Sequence, residues 1–242
     1  MFYVMSGING SFELYNKALK KLGFANLDEI KEGDIMDEEA VINTLEGEDV
    51  LYILGGIVGP GGDSMRILTD MMCRDNIIAV AGAAELQLAQ TLKALDDHIN
   101  NTGDVPPQML VDRIVSMLGD DYASAVNEFI QLADEERELI IEYLDEISEE
   151  TFLETFTRKK TYVLVPSGIR DFDPDKELDE YSAEDFTSEP LDMDKTYYGS
   201  RTIISGAPIS GSTILRRNNN IAINCADAPA IYCLSDDREL YL

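Results

Sequence analysis

The sequence has few of the side chains that bind metals or act as nucleophiles. Its 242 residues include one histidine, His98, and three cysteines, Cys73, Cys225 and Cys233. The cysteine count is odd and lacks metal-ligand spacing, which indicates reduced, buried thiols in a cytosolic protein. Cys225 could serve as a nucleophile only if His98 activated it, so a structural thiol is the favoured interpretation. His98 itself lies in the polar segment LDDHIN, where we expect a solvated helix end.

Long apolar runs are also missing. No run approaches the roughly 18 residues that cross a bilayer. The N-terminal MFYVMSG lacks the charged and apolar regions of a signal peptide. We therefore expect a cytoplasmic protein with no membrane partner. The hydrophobic fraction of 45% is that of a globular chain, and a length of 242 residues favours one large domain over two small ones.

Basic residues are scarce. Lys and Arg number 19 against 47 Asp and Glu, a formal net charge of −28. Such a surface repels nucleic acid and anionic membranes, so we expect no direct nucleic-acid binding and a protein partner that is basic. High solubility or a salty habitat would explain the same composition, as would a nucleic-acid mimic that occupies a basic groove. The acidic residues concentrate in 28–49 and 171–194.

The first half of the chain alternates short apolar strands with amphipathic helices, which predicts βαβ units and a mostly parallel sheet. Segment 106–156 has a helical pattern, and Phe152, Leu153, Phe156 and Tyr143 are expected in the core rather than at a contact surface. From residue 161 on, short strands separated by turn residues predict hairpins in a second sheet. Between them, 170–194 is predicted to be an acidic loop too polar for a core. The predicted strands of the first half are 2–6, 49–56 and 76–82, and the predicted helices are 11–24, 37–45, 63–75 and 84–99.

A glycine-rich turn follows the buried strand in LYILGGIVGPGGDS, residues 51–64. A P-loop requires a lysine and a hydroxyl residue after its glycines, whereas Gly62 and Asp63 occupy those positions. A dinucleotide-binding fingerprint fails as well, because Ser64 stands where its third glycine belongs and the strand is not the first of the sheet. The turn is therefore not predicted to bind a nucleotide.

Five short segments have the order and spacing of the motifs of a known family. They are MSGING (5–10), LGGIVGPGG (54–62), AGAAE (81–85), LVPSG (164–168) and SGAPIS (205–210). The chain resembles the calcineurin-like metallophosphatases, in particular their bacterial serine/threonine phosphatase branch, over nearly its whole length. The resemblance implies an α/β four-layer sandwich of two mixed sheets flanked by helices. It implies a single domain over 1–242, with an acidic insertion at 25–49 and a helical insertion or cap at 106–156 near the rim of the pocket.

The metal-ligand side chains of that family are replaced at every position. In the first two motifs the replacements are Gly7 and Asn9 for an aspartate and a histidine, Gly56 and Gly59 for two aspartates, and Pro60 for an arginine. In the later motifs they are Ala83 and Ala84 for an asparagine and a histidine, and Pro166 and Gly206 for two histidines. Only a glutamate of the third motif is retained, as Glu85. The resemblance thus implies a vestigial pocket with no metal, no cofactor and no catalytic residue.

The residues lead to the same conclusion without the family. The loops that follow the early strands offer one carboxylate, Glu85, and a two-metal site needs several ligands. Glycine at these positions has a second explanation, because tight turns need positive φ. Ser6, Asn9, Glu85, Ser167 and Asn224 are expected to line what remains of the pocket, as a dry or water-filled vestige or as a small-ligand site.

Three functional hypotheses follow. The leading one is a pseudophosphatase that binds a protein partner as a regulatory scaffold, with an acidic inhibitor of a basic or nucleic-acid-binding protein as its specific form. The alternatives are a phosphoesterase with weak or altered activity and a small-molecule sensor that uses the vacated pocket.

Overall fold

Two five-stranded sheets form the framework of the computed structural model, which describes residues 1–24, 49–102, 108–207, 213–223 and 230–242. The strands are β1 Phe2–Met5, β2 Val50–Leu54, β3 Ile77–Val80, β4 Leu153–Phe156, β5 Thr161–Val165, β6 Arg201–Ser205, β7 Ile214–Arg217, β8 Asn220–Ile223, β9 Ala230–Cys233 and β10 Arg238–Tyr241. The helices are α1 Phe12–Leu22, α2 Ser64–Met72, α3 Ala83–Thr102, α4 Gln108–Leu118, α5 Ala123–Ile130, α6 Asp134–Ser148 and α7 Ala183–Thr187. Within the described ranges no helix combines the length and the apolar character needed to span a bilayer.

The first sheet has the strand order β10-β9-β1-β2-β3. β1, β2 and β3 are parallel, as the strand and helix alternation predicts. β9 pairs with β1 and β10 with β9, both antiparallel. The prediction that the segment AIYCL belongs to the second sheet is therefore wrong. β9 is an interior strand of the first sheet, paired with β1, and its four residues are all buried.

The second sheet has the order β4-β5-β6-β8-β7, with β5, β6 and β8 parallel and an antiparallel strand at each edge. Successive side chains of a strand point to opposite faces of the sheet, and both faces of this sheet carry apolar side chains. Tyr162 and Leu164 belong to the core between the two sheets. Val163 and Val165 belong to a second hydrophobic cluster on the outer face. The predicted mixed α/β architecture of two mixed sheets flanked by helices is confirmed.

The acidic segment 170–194 contributes to that outer cluster, contrary to the prediction that it is too polar for a core. Leu178, Tyr181, Phe186 and Leu191 are buried against the second sheet. The carboxylates between them point to solvent, because the apolar residues are spaced so that one side of the segment faces the protein. Overall polarity was a poor guide here, since a few spaced apolar side chains suffice to cover one face of a sheet.

Segment 106–156 is helical only in part. α6 packs against α2 and α3 on the first sheet, but Leu153–Phe156 forms β4, antiparallel to β5. The expectation that Phe156 lies in the core is wrong, because its side chain is 76% exposed at the sheet edge. Phe152, Leu153 and Tyr143 are half-buried. The alternating sequence LETF carries the strand pattern that the helical interpretation overlooked.

Some helix ends follow local capping rules and others do not. Ser11 caps α1 by accepting a hydrogen bond from the Leu14 amide at 3.3 Å. Gly23 ends that helix with φ of 76°. Asp63 occupies the N-cap position of α2, but its side chain makes no cap hydrogen bond. Glu128 of α5 instead accepts from the Met65 amide at 2.9 Å. The predicted helix at 37–45 lies outside the described residues.

Asp237 joins the two sheets at one end. Its carboxylate accepts hydrogen bonds from Arg216 at 2.6 Å and Lys160 at 3.1 Å, both from the second sheet or its turns, and from the hydroxyl of Tyr232 in β9. The Tyr232 hydrogen bond, followed by Lys160 and Arg216, lowers the pKa of Asp237. The ionised form is therefore the one that the folded state stabilises.

We expect that Phe186→Ala lowers the free energy of unfolding by about 3–5 kcal/mol, because it opens a cavity under the acidic segment. Urea denaturation of the variant measures the loss. Leu139→Ala on α6 is the control, since Leu139 is 52% exposed and its loss should change stability little. Equal, small effects of the two substitutions would show that the segment is a solvated loop after all.

We expect that Asp237→Asn lowers stability at neutral pH by about 1 kcal/mol, discounted for the partial exposure of the site. Because the folded-state pKa is lowered, the stabilisation is present above the unfolded pKa of about 4 and is lost as the pH falls through the folded value. The variant should therefore lose less stability than the wild type on acidification below about pH 4. Urea titrations at several pH values, with Asp236→Asn as the exposed control, test this; parallel pH profiles of wild type and Asp237→Asn would contradict it.

Candidate functional site

The loops after β1, β2 and β3 meet the loops after β5 and β6 at one end of the sandwich, because parallel strands in each sheet end on the same side. A cavity of about 240 Å³ lies between them. Eight of the ten predicted pocket residues line it: Gly7, Asn9, Gly56, Ala83, Ala84, Glu85, Pro166 and Gly206. Gly59 and Pro60 are not part of the lining. No described residue of 106–156 lines the cavity either, so the predicted cap does not form its wall.

Glu85 holds two of these loops together. One carboxylate oxygen accepts hydrogen bonds from the amides of Ile57 at 2.8 Å and Val58 at 3.1 Å, and the other accepts from Gly82 at 2.9 Å. The side chain is fully buried in the first turn of α3, where the helix dipole favours a negative charge. Burial raises the pKa of the Tyr122 hydroxyl, and the nearby Glu85 carboxylate raises this pKa further. Both oxygens of the one carboxylate in the lining are thus committed to the backbone.

The first two loops are joined backbone to backbone. The amide of Asn9 donates to Gly56 at 2.6 Å, and that of Gly10 donates to Ile57 at 2.9 Å. In return, the carbonyl of Asn9 accepts from Gly61 at 2.8 Å. Asn9 and Gly56 reach this arrangement with φ of 50° and 60°. Asparagine tolerates that region better than most residues and glycine adopts it freely.

This packing leaves no room for side chains at three of the replaced positions. A Cβ atom on Gly206 would lie 2.1 Å from the Leu54 carbonyl oxygen. One on Gly59 would lie 2.9 Å from the Asn9 Cα, and one on Gly56 would lie 3.1 Å from the Gly7 Cα at a positive φ. An aspartate or histidine at these positions would require the backbone to move. A positive φ therefore explains the glycine at Gly56, and close approach of the main chain explains those at Gly59 and Gly206.

The serine hydroxyls of the site are used within the fold. Ser6 donates to the carbonyl of Leu54 at 2.7 Å and lies 2.8 Å from that of Gly206, bridging the two sheets under the cavity. Ser167 donates to Glu189 at 2.8 Å. The predicted lining residue Asn224 lies outside the described residues. Neither serine has a basic side chain that could activate it among the lining residues.

A pair of divalent cations, as bound by the family that the sequence resembles, does not fit the described residues. Across the ranges that the structure describes, no three His, Cys, Asp or Glu side chains come together as a metal site. Glu85 already accepts three backbone hydrogen bonds, so its oxygens are not available as bridging ligands. Pro60, at the position of the family's arginine, is exposed and has no donor.

His98, Cys73 and Cys233 are not among the residues that line the cavity. His98 is partly buried on α3 rather than fully solvated. Cys233 is buried in β9 as expected, whereas Cys73 is exposed, so the expectation of buried thiols is wrong for that residue. Partial desolvation of the Cys73 thiol raises its pKa, and the nearby Asp70 raises the pKa further. Both effects disfavour the reactive thiolate. Cys225 lies outside the described residues.

Sequence comparison gives no match to a family model or to a curated protein. Structural comparison does. A crystal structure assigned as a diadenosine tetraphosphatase matches with a TM-score of 0.60 at 12% identity, over 100% of this chain and 92% of that one. A protein serine/threonine phosphatase from Saccharomyces cerevisiae, with similarity to human phosphatase PP5, gives 0.57 at 8% identity over 100% and 78%. A cold-active protein tyrosine phosphatase gives 0.53 at 12% over 100% and 78%.

The chain has the metallophosphoesterase fold. At these identities the comparisons establish the fold alone, and it agrees with the family resemblance of the sequence motifs. Eight of the ten predicted pocket residues lie at the cavity where the loops of the two sheets meet.

Sequence reasoning missed several lining residues: Gly55, Gly82, Thr187 and Ala207. Gly55 and Gly82 approach each other closely, since a Cβ on Gly55 would lie 3.2 Å from the Gly82 Cα. Both glycines belong to the quoted motifs. Interpreting glycines in these motifs as sites of close main-chain approach would have identified them as lining residues. Thr187 comes from the segment that was predicted to be a solvated loop.

We expect that Gly206→Ala lowers the free energy of unfolding by about 2–3 kcal/mol, because the added methyl overlaps the Leu54 carbonyl. Gly199→Ala is the matched control: a Cβ there has no neighbour within 4 Å. Denaturant titration of both variants measures the difference. Equal stability of the two variants would mean that the loops relax without cost and that a side chain can be accommodated at the cavity floor.

We expect that Glu85→Gln costs about 1–3 kcal/mol of stability, because the new amide group turns a donor toward backbone donors in a buried site. Glu138→Gln, at an exposed position on α6, is the control and should be nearly neutral. Urea denaturation and hydrogen exchange of the Ile57, Val58 and Gly82 amides measure the effect. Unchanged protection of these amides would contradict the role assigned to the carboxylate.

Proposed function

We propose that this protein is a catalytically inactive metallophosphatase homologue, a pseudophosphatase, that acts in the cytoplasm as a protein-binding regulatory scaffold. The observation that carries the proposal is the state of Glu85. The one carboxylate among the described lining residues is buried and accepts hydrogen bonds from three backbone amides on its two oxygens, and the positions around it carry glycine, alanine and proline. The fold is retained, whereas the side chains that would do its chemistry are not.

The chemistry of phosphate-ester hydrolysis explains why this matters. Metal ions in such sites lower the pKa of the attacking water from 15.7 toward about 7 and stabilise the charge of the transition state. The described lining residues supply no alternative, because they include no histidine, lysine or arginine and their serines donate to carbonyls. Among these residues, a water would find no free base to remove its proton and no cation to hold the phosphate.

The partner is proposed from charge. A formal net charge of −28 attracts a basic surface and speeds its association at low salt. An inhibitor that occupies a basic or nucleic-acid-binding partner is the specific form of this proposal, with no direct contact to nucleic acid or membrane. Binding by occupancy requires no catalytic residue, which agrees with the composition of the pocket.

Metal analysis and a phosphatase assay test the absence of catalysis. We expect substoichiometric Mn and Zn in the purified protein, and hydrolysis of p-nitrophenyl phosphate with added Mn²⁺ at the rate of the blank. An active metallophosphatase assayed in parallel is the positive control. Stoichiometric metal together with turnover above the blank would overturn the proposal in favour of the weak-phosphoesterase alternative. A thermal-shift screen with nucleotides and phosphosugars covers the sensor alternative, for which a saturable stabilisation would be the positive result.

A pull-down from native lysate tests the scaffold role. We expect a stoichiometric basic partner whose retention falls as the salt concentration rises, because exposed charge pairs are screened beyond about 8 Å at physiological ionic strength. A similarly acidic, unrelated protein on the same resin is the control. Retention of the same proteins by both baits would contradict a specific scaffold.

A further inference from the structure

The edge of the second sheet at β4 is open. β4 is the end strand of its sheet and pairs with β5 alone, so far as the described residues extend. An open strand edge presents a row of unpaired backbone donors and acceptors to any chain that can lie beside it. At the β3 edge of the first sheet, by contrast, Ile77 and Ala79 are almost fully buried.

The register of the hairpin identifies the outward groups. Thr157 donates its amide to the carbonyl of Lys160 at 2.9 Å, which closes the turn between β4 and β5. Hydrogen-bonded pairs alternate with non-bonded pairs along an antiparallel ladder, so Thr155 bonds to Tyr162 as the next such pair. The amides and carbonyls of Glu154 and Phe156 therefore point away from β5. These two residues form the free edge.

The side chains of the edge are equally available. Phe156 is 76% exposed, more than any other large apolar side chain of the described residues. Glu154 lies on the same face of the strand, 3.2 Å from the guanidinium of Arg201. The phenyl ring of Phe156 thus offers an apolar contact at the open edge.

The two ends of the edge carry opposite charges. The chain enters β4 through Glu149 and Glu150, both exposed, and leaves it through the exposed Arg158 and Lys159. In a chain with 47 acidic and 19 basic residues, a turn with consecutive basic residues beside an exposed phenyl ring is unusual. The β4 edge therefore has an acidic entrance, Glu149 and Glu150, and a basic exit, Arg158 and Lys159.

We propose that the β4 edge binds a second copy of this chain. Two β4 strands pair antiparallel about a two-fold axis at Thr155 and join the second sheets of the two copies into one ten-stranded sheet. The proposal does not depend on the pseudophosphatase assignment, because it uses no residue of the cavity.

A two-fold arrangement satisfies the free groups of both copies at once. With the axis at Thr155, Glu154 of each copy lies opposite Phe156 of the other, so the outward amides and carbonyls pair with one another. The two phenyl rings become diagonal neighbours on one face, within reach of aromatic contact. Antiparallel pairing also sets the basic exit of each strand beside the acidic entrance of the other, and it does so twice.

Two effects oppose the pairing. Copies with a net charge of −28 repel each other, although that repulsion is screened beyond about 8 Å at physiological salt. Lysines at an edge usually discourage strand addition. In the proposed dimer, the acidic entrance of one copy lies opposite the basic exit of the other. Lys159, which would discourage the addition of other strands, therefore has acidic partners in this arrangement. Specificity for a second copy over an unrelated strand follows from that pattern.

Sedimentation velocity at physiological salt, over a range of protein concentrations, tests the proposal. We expect a concentration-dependent dimer for the wild type. Arg158→Glu with Lys159→Glu makes both ends acidic, and Glu149→Lys with Glu150→Lys makes both ends basic. Each pair should weaken dimerisation by about tenfold or more, because several charge pairs turn from attractive to repulsive. The fourfold variant that combines both pairs exchanges the two ends and should restore the dimer.

The controls separate edge pairing from general effects. Lys17→Glu with Lys21→Glu on α1 changes the net charge as much as the change in the turn and should leave the dimer intact. All substituted positions are exposed, and circular dichroism of each variant checks that it folds. A wild type that stays monomeric at every concentration, or a dimer that neither charge pair weakens, would overturn the proposal. So would a fourfold variant that remains monomeric while both pairs individually weaken a wild-type dimer.

Discussion

The three hydrogen bonds that Glu85 accepts are the interaction on which the pocket end of the molecule depends. They fix the loop after β2 to the start of α3, and the loop after β1 is in turn bonded to the loop after β2. A buried carboxylate is costly unless it is fully hydrogen-bonded, and here backbone amides supply all of the compensation. The same bonds engage both oxygens of the side chain.

The rest of the fold places these loops without help from the pocket itself. β1, β2 and β3 end on one side of the first sheet, and β5 and β6 end opposite them in the second. Ser6 then bridges the two sheets below the cavity, and Asp237 links them at the far end through Lys160, Arg216 and Tyr232. The sandwich is therefore held at both ends by polar contacts and in the middle by a shared apolar core. Catalytic side chains are not needed to keep it together.

Sequence patterns predicted those features that depend on neighbours along the chain. Ser11 and Gly23 mark the ends of α1 by local capping, and the alternation of apolar segments identified the parallel strands of the first sheet. Features set by distant residues were missed. Nothing within AIYCL shows that β9 pairs with β1, and no local pattern shows that Phe186 of an acidic segment covers Val163 and Val165. The replaced positions could be read from the sequence, but the closeness of Gly206 to Leu54 could not, because 152 residues separate them along the chain.

The contact at Gly206 has a consequence for how this chain could change. The backbone of β2 lies so close to it that any side chain there must first displace a strand end, and Gly56 and Gly59 are confined in the same way. A larger side chain at any of these three positions would therefore require a rearranged main chain. Main-chain geometry restricts substitution at this end of the molecule, whereas positions on the exposed outer surface carry no such restriction.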